Sequence, residues 1–208
     1  MSPFDLVGIA KLNGLDLIAL TDHNTTRNCR AAKKAADEYG IGFIPGVEVT
    51  TTEDIHCICL FPDVDTAEKF DKILYEKLLK IKNKRKIFGN QIVVNLDGSK
   101  EYEPILLISA VSISIMDLPK LVEEFGGICY PAHIDKDSNG LISTLGFWPE
   151  DLNVAAAEVN RKTPCGIPES LKIICASDAH QIEDMSETGF PLPLSSPSFN
   201  GLKKYIGK

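Results

Sequence analysis

The sequence predicts an α/β fold in which helices cover a mainly parallel β-sheet. Segments with helical spacing of apolar residues alternate with apolar runs of strand length along most of the chain. These runs are continuous rather than alternating, which is typical of strands buried on both faces of a parallel sheet. Both a closed barrel and an open, doubly wound sheet fit this pattern.

The first predicted element is a helix that begins almost at the first residue. Ser2 is a suitable N-cap, Pro3 suits the first helical position, and Gly14 stands where the helix should stop. A parallel α/β domain normally begins with a strand, so we expect its first strand to be missing from this sequence. The strands predicted after the helix cover residues 15–20, 42–50, 55–61, 128–133, 154–159 and 171–177.

Further helices are predicted between and after these strands because start and stop residues flank each segment. The first covers about residues 26–39 and stops at Gly40. The second begins with a capping box of Asp65 and Glu68 and runs to about residue 84. The third begins at Ser114 and Asp117 and ends at Gly126 and Gly127, and a last helix begins near Ser198. Residues 88–107 are predicted to be irregular or a hairpin, with a turn at Asp97 and Gly98.

Composition indicates one globular domain over residues 1–208, since 44% of the residues are hydrophobic and 25% are charged. The net charge of −7 argues against a protein that coats long nucleic acid non-specifically. A small acidic substrate would then need a local positive site, such as a metal ion.

The six cysteines lie mostly in apolar, strand-like runs, and no secretory segment precedes them. We therefore expect reduced thiols in a cytoplasmic protein. No apolar run approaches the roughly 20 residues needed to cross a bilayer, so a membrane partner is not expected.

The four histidines of the chain all lie at or beside the edge of a predicted strand. His23, His133 and His180 follow apolar strands, and His56 begins one. The carboxyl ends of parallel strands meet at one rim, which would bring these imidazoles together with Glu48 and Asp178. Imidazole with carboxylate is the ligand set of Zn²⁺, Mn²⁺ and Fe²⁺. Each residue alone is more often structural, but together they predict a metal site.

Other motifs indicate less. Cys57 and Cys59 alternate with apolar residues, which favours a strand with buried thiols over a zinc site. The sequence contains no nucleophile elbow, Walker loop or dinucleotide fingerprint. Six basic residues within 77–86 are interpreted as a solvated helix end, with a phosphate or nucleic-acid contact as the alternative.

Five motifs taken together resemble the PHP (polymerase and histidinol phosphatase) domain family, in order and over nearly the whole chain. They are Thr21-Asp22-His23-Asn24, the run from Pro45 to Thr50 around Glu48, Ile55-His56, Pro131-Ala132-His133-Ile134-Asp135 and Ser177-Asp178-Ala179-His180. The resemblance implies a distorted seven-stranded (β/α) barrel, similar to a TIM barrel, with two or three divalent ions (Mn, Zn or Fe) at its C-terminal rim. It also implies a phosphoesterase.

The resemblance assigns site residues one by one. The implied metal ligands are His23, Glu48, His56, His133, Asp178 and His180, with Glu48 bridging two ions. The implied catalytic carboxylates are Asp22, Glu48 and Asp178, of which Asp22 would orient a ligand histidine. Asn24, Arg27 and Lys136 lie close to ligands in sequence and are predicted to contact substrate phosphate.

The chain departs from the family pattern in one respect. The family's first strand ends in a His-x-His motif that this sequence lacks, so the 208-residue form is expected to be N-terminally truncated relative to the family. Weak metal binding and reduced activity would follow.

The function predicted is hydrolysis of a phosphate ester by metal-activated water. The substrate would be a small phosphomonoester, a nucleotide or a short nucleic-acid end. The first alternative is a catalytically silent PHP-like module that binds a protein partner, and the second is a metal-dependent amidohydrolase. The sequence leaves the oligomeric state open.

Overall fold

The computed structural model describes residues 2–160, 163–185 and 191–207. Its strands are β1 (Leu17–Leu20), β2 (Gly42–Thr50), β3 (His56–Leu60), β4 (Ile92–Val94), β5 (Lys100–Tyr102), β6 (Ile128–Pro131), β7 (Ala156–Val159) and β8 (Lys172–Cys175). Its helices are α1 (Pro3–Leu12), α2 (Cys29–Tyr39), α3 (Val64–Lys77), α4 (Arg85–Phe88), α5 (Leu118–Glu124), α6 (Leu141–Leu145) and α7 (Phe199–Ile206), with a 3₁₀ turn at Ile182–Asp184.

The main sheet has the strand order β1-β2-β3-β6, and β7 and β8 form a separate parallel pair. β1 pairs with β2 in parallel, whereas β3 runs antiparallel to both β2 and β6. The Ile134 amide donates to the Glu158 carbonyl oxygen at 2.9 Å, which joins the end of β6 to β7. The fold is therefore a mixed α/β fold.

The expectation of a mainly parallel sheet is wrong for β3. Only residues 51–55 connect β2 to β3, and they form a tight turn in which the Thr51 amide donates to Ile55. A parallel crossover needs a dozen or more residues, so this connection permits only an antiparallel partner. The apolar character of β3 comes from cover on both faces, not from a parallel neighbour.

Within the described residues, β1 pairs only with β2 and β8 pairs only with β7. The outer edges of both strands line a cavity of about 910 Å³. Apolar side chains of the sheet also line it, including Ile44, Ile58 and Tyr130. Among the described residues, no strand pairing joins β1 to β8.

The helix caps predicted at Ser2, Ser198 and Gly40 agree with the structure. Ser2 caps α1 by accepting from the Asp5 amide at 3.2 Å, and Ser198 caps α7 by accepting from the Gly201 amide at 3.1 Å. Gly40 follows α2 with φ of 63°, a left-handed conformation that glycine adopts without steric cost.

α3 differs from its prediction at both ends. It begins at Val64 because Asp63 caps it, accepting from the Thr66 amide at 2.7 Å. Asp65 and Glu68 do not form the predicted capping box; their side chains bind Arg30. The helix ends at Lys77 rather than near residue 84 because the following backbone is extended and forms bridges with residues 105 and 111.

The segment from residue 78 to residue 107, here called the arm, leaves the sheet after α3. Its strands β4 and β5 form the predicted hairpin, and Gly98 adopts φ of 82° in the turn. The arm also contains α4, a single turn. Neither α4 nor α6 was predicted, because four or five residues are too few to show helical periodicity.

The core lies on both faces of the sheet. In β3, Cys57 and Cys59 face one cluster while Ile58 and Leu60 face another, as the alternation of a strand requires. The first cluster includes α3 and α5, the second includes α7, and α1 and α2 form a third cluster with Ile18 of β1. In the described parts of the chain, no helix combines the length and apolar character of a membrane span.

Candidate metal centre

Three histidines surround the carboxylate of Glu48. Nδ1 of His56 lies 3.1 Å and Nε2 of His133 lies 3.2 Å from Oε1 of Glu48, and Nδ1 of His23 lies 3.2 Å from Oε2. The four side chains come from four different segments of the chain. Their meeting at one rim was predicted from the sequence.

Strand register explains this convergence. His23 follows β1 and forms a parallel bridge with Glu48, which lies near the end of β2. His56 is the first residue of β3 and pairs with Thr50. Because β3 is antiparallel to its neighbours, its beginning lies at the same rim as the end of β6, and His133 follows β6 directly.

The spacing of the donor atoms matches that of metal ligands. Oε1 of Glu48, Nδ1 of His56 and Nε2 of His133 are separated from one another by 3.1–3.2 Å. Ligand atoms around a tetrahedral ion with bonds of about 2.0–2.1 Å lie about 3.3 Å apart. Two N–H groups that faced each other at this distance would repel, whereas one cation would satisfy all three lone pairs. His23 contributes a further donor: ligand atoms of His23, Glu48 and His56 all lie within 4.8 Å of one another.

Electrostatics keep Glu48 ionised. Burial alone would raise the pKa of this carboxyl group. Hydrogen bonds from His133 and His56, together with the charges of His56 and His23, outweigh burial and hold the pKa well below its usual value. An anionic carboxylate is therefore present at the centre of the cluster at neutral pH.

The surrounding histidines differ in their proton affinity. Burial lowers the pKa of His23 in spite of the nearby Glu48 charge, whereas the hydrogen bond to Glu48 overcomes burial and raises the pKa of His133. Nδ1 of His133 is buried and has no hydrogen-bond partner among the described residues, and the contact of the buried Nδ1 of His23 with Oε2 of Glu48 lacks hydrogen-bond geometry. Such atoms are costly to bury unless a ligand or cation binds them.

Asp178 and His180 follow β8 and form the second part of the rim. Lys136 donates to Oδ2 of Asp178, and Nδ1 of His180 lies 2.9 Å from the Asp178 carbonyl oxygen. The His180 ring centroid is 5.7 Å from that of His23, which places this pair beside the Glu48 cluster. The His180 side chain is 58% exposed, so the surrounding structure restrains it much less.

Glu158 is a site residue that the sequence reasoning missed. It lies in β7, is buried, and its Oε1 faces the His133 amide at 3.4 Å. Burial raises the pKa of its carboxyl group to about 7, against the lowering effect of His133. The sequence pattern that identified Glu48 also applies to Glu158, because each is the lone ionisable residue in an otherwise apolar predicted strand.

Asp22 lies beside His23 in sequence, and Asn28 donates to its Oδ2 at 2.8 Å. Burial raises the pKa of Asp22, and the Asn28 hydrogen bond opposes that effect. The structure therefore places Asp22 behind the cluster, on the side that faces the arm.

Asn24 and Arg27 make structural contacts with the arm and its flank. The buried Asn24 amide donates to the carbonyl oxygens of Leu107 and Ser109 at 2.7 and 2.9 Å. Arg27 binds Glu103 at 2.8 Å and Glu101 at 3.0 Å. The phosphate contacts predicted for these two residues stay predictions.

The comparisons with known proteins bear on this geometry. No model of a known protein family matches the chain. In sequence, 51 residues are 39% identical to an uncharacterised protein of Methanocaldococcus jannaschii, and they make up 24% of this chain and 30% of that protein. The match thus spans less than a third of that relative.

Two solved structures resemble the whole chain. A candidate metal-dependent phosphoesterase from Bifidobacterium adolescentis superposes with a TM-score of 0.58 at 18% identity, covering 99% of this chain and 90% of that one. The lesion-specific endonuclease PfuEndoQ of Pyrococcus furiosus gives a TM-score of 0.59 at 17% identity, covering 98% of this chain and 50% of that one. The chain shares their fold. At these identities the likeness establishes the α/β fold, and membership of the PHP family stays a prediction.

Proposed function

We propose that this protein is a metal-dependent phosphoesterase of the PHP type. The observation that carries the proposal is the triangle of Glu48, His56 and His133 donor atoms, whose sides of 3.1–3.2 Å fit the ligands of one divalent ion. The donor set favours Zn²⁺, Mn²⁺ or Fe²⁺. The names of the two structural neighbours, a phosphoesterase and an endonuclease, support a phosphoester substrate.

Glu48 is suited to bridge two ions because its two oxygens face different partners. Oε1 faces His56 and His133, while Oε2 faces His23. Asp178 and His180 lie next to His23 and would complete a second ion site. Bound divalent ions would activate water and neutralise charge on the phosphate oxygens.

The remaining side chains of the rim support these ligands. Asp22 and its partner Asn28 would fix the loop that carries His23. Glu158 would hold the backbone that carries His133. Lys136 places a cation beside Asp178, where it would contact a substrate phosphate. The expected substrates are small phosphomonoesters, nucleotides or short nucleic-acid ends in the cytoplasm.

The opening between β1 and β8 supports the proposal of an incomplete barrel. Both strands present an unpaired edge to the cavity of about 910 Å³, within the part of the chain that the structure describes. A further strand placed there would close a barrel and reach the rim beside His23 and Asp178.

The test is metal content together with hydrolysis. The purified protein, His133→Ala and the exposed control Glu150→Gln would be analysed by mass spectrometry for metal and assayed with p-nitrophenyl phosphate in Mn²⁺. We expect metal and activity in the wild type and the control, and loss of both in His133→Ala. A wild type with metal but activity only towards amides would favour the amidohydrolase. A wild type that binds no metal would favour the silent module.

A further inference from the structure

The arm carries a concentration of positive charge on an otherwise acidic protein. Residues 78–86 of the arm contain five basic side chains, although the net charge of the chain is −7. Except for Leu78 and Asn83, every residue from 77 to 90 is exposed. This part of the arm is therefore a basic surface in contact with solvent.

The basic side chains of this surface form no salt bridges with the described acidic residues. Among the described residues, no salt bridge involves a cation between residues 78 and 90. Of the three acidic residues of the arm, Glu101 and Glu103 bind Arg27, and Asp97 accepts from the Ser99 amide in the turn between β4 and β5. Lys82, Lys84 and Lys86 are thus available to an anionic ligand.

Exposed apolar and aromatic side chains lie among these cations. Ile87 is 67% exposed, Phe88 is 46% exposed, and Tyr102 is 48% exposed. Arg85 lies over the Tyr102 ring, 4.5 Å from its centroid. A surface that alternates cations with apolar faces is suited to a ligand that alternates phosphates with planar bases.

The arm is joined to the candidate metal centre through Asn28. Its Nδ2 donates to the Ile92 carbonyl oxygen at 3.1 Å and to Asp22 at 2.8 Å, and its Oδ1 accepts from the Val94 amide at 2.9 Å. Because Asp22 precedes His23, one side chain connects the arm to the loop of a proposed metal ligand. This connection places β4 of the arm beside the loop that carries His23.

We propose that the arm binds the backbone of single-stranded nucleic acid and directs its end to the metal centre. Binding of nucleic acid to the arm does not depend on the proposed phosphoesterase function, whereas delivery of the end to the metal centre rests on it. A small phosphate ester would not need a row of five cations. A membrane surface is disfavoured because interfacial anchors use an amphipathic helix of several turns, whereas α4 has only four residues.

The test separates binding from hydrolysis. Binding of a fluorescent oligothymidylate of about 15 nucleotides would be measured in EDTA by anisotropy, between about 50 mM and about 200 mM salt. The variant is the triple change Lys82→Glu, Lys84→Glu and Lys86→Glu. The matched control, Lys11→Glu, Lys120→Glu and Lys204→Glu, changes the net charge equally on three helices outside the arm.

We expect the arm variant to bind at least about tenfold more weakly, with a salt dependence shallower by about 2 in log–log slope, since single strands lose about 0.7 per phosphate contact. The control should change much less, and both variants should hydrolyse p-nitrophenyl phosphate at the wild-type rate. Oligonucleotide binding without any hydrolysis would support the arm and reject the phosphoesterase. Absent binding by the wild type, equal losses in arm variant and control, or binding to anionic lipid vesicles in place of the oligonucleotide would overturn the inference.

Discussion

The two parts of the rim differ in how firmly the fold holds them. Glu48 and His133 are almost fully buried and contact each other directly, whereas His180 is more than half exposed and Asp178 pairs with Lys136. In the first part, Glu48 and His56 lie on β2 and β3, which have strand partners on both sides, and the residues that follow β1 and β6, His23 and His133, pack against them. The second part follows β8, which has a partner on one side only. We call the cluster of Glu48, His23, His56 and His133 the enclosed part of the rim, and the pair Asp178 and His180 the open part. Proposed ligands in the enclosed part are preorganised by the packed strands, whereas those in the open part depend on local contacts.

The largest effect is expected from Glu48→Gln, which removes the charge at the centre of the enclosed part. We expect metal affinity to fall at least about a hundredfold, because one carboxylate contacts three histidines. Isothermal titration with Mn²⁺ would measure the loss, with Glu150→Gln as control. Unchanged affinity would show that the cluster is not the metal site.

A smaller effect is expected from Asp178→Asn in the open part. Asp178 has φ of 48°, which asparagine tolerates, so the backbone should keep its shape. We expect about a tenfold loss of affinity, limited to the weaker of two ions. The same titration would show it as a change in one of two binding steps. A loss as large as that of Glu48→Gln would contradict the difference between the two parts.

Asn28→Ala tests whether the enclosed part depends on the arm. The change removes three hydrogen bonds to Asp22, Ile92 and Val94 from a half-buried side chain. We expect the free energy of unfolding to fall by about 2 kcal/mol, as measured by urea denaturation, because each hydrogen bond contributes about 1 kcal/mol and the site is half-buried. Hydrogen exchange should rise in β4 more than in β7, and a uniform rise would reject the specific connection.

Asp71→Asn gives the smallest effect, and it depends on pH. Burial raises the pKa of Asp71, while hydrogen bonds from Thr26 and Thr25 oppose it. Since the folded state favours the protonated form, its contribution to stability is complete below the ordinary pKa and is lost as pH rises through the raised value. Relative to wild type, Asp71→Asn should therefore gain stability as the pH rises above the ordinary aspartate pKa of about 3.9 and through the raised pKa of Asp71. A difference that is constant with pH would reject this explanation, and the exposed substitution Asp151→Asn provides the control.

The sequence predicted the members of the rim better than their surroundings. All four histidines were recognisable because each one lies beside an apolar strand. A residue at the end of a strand can be identified even when the direction of that strand is predicted wrongly. The direction of β3 was mispredicted, since apolar residues do not distinguish a parallel neighbour from helical cover on both faces.

The contacts of Asn24 and Arg27 could not be foreseen for a different reason. Both residues lie close to His23 in sequence, which suggested phosphate binding. Their partners, Leu107, Ser109, Glu101 and Glu103, lie in or beside the arm, more than 70 positions further along the chain. Only tertiary structure brings these segments together. Glu158, in contrast, could have been found by the criterion that identified Glu48.

The left-handed backbone of the rim has a consequence for how this protein can adapt to temperature. Asn24, His133 and Asp178 have φ of 49°, 28° and 48°, a conformation that costs most residues about 1 kcal/mol. Glycine would relieve that cost at each position, but at His133 and Asp178 it would delete a proposed ligand. If both residues are ligands as proposed, heat resistance and metal binding would place opposite demands on these two positions. Relatives adapted to high temperature would then gain stability elsewhere in the chain.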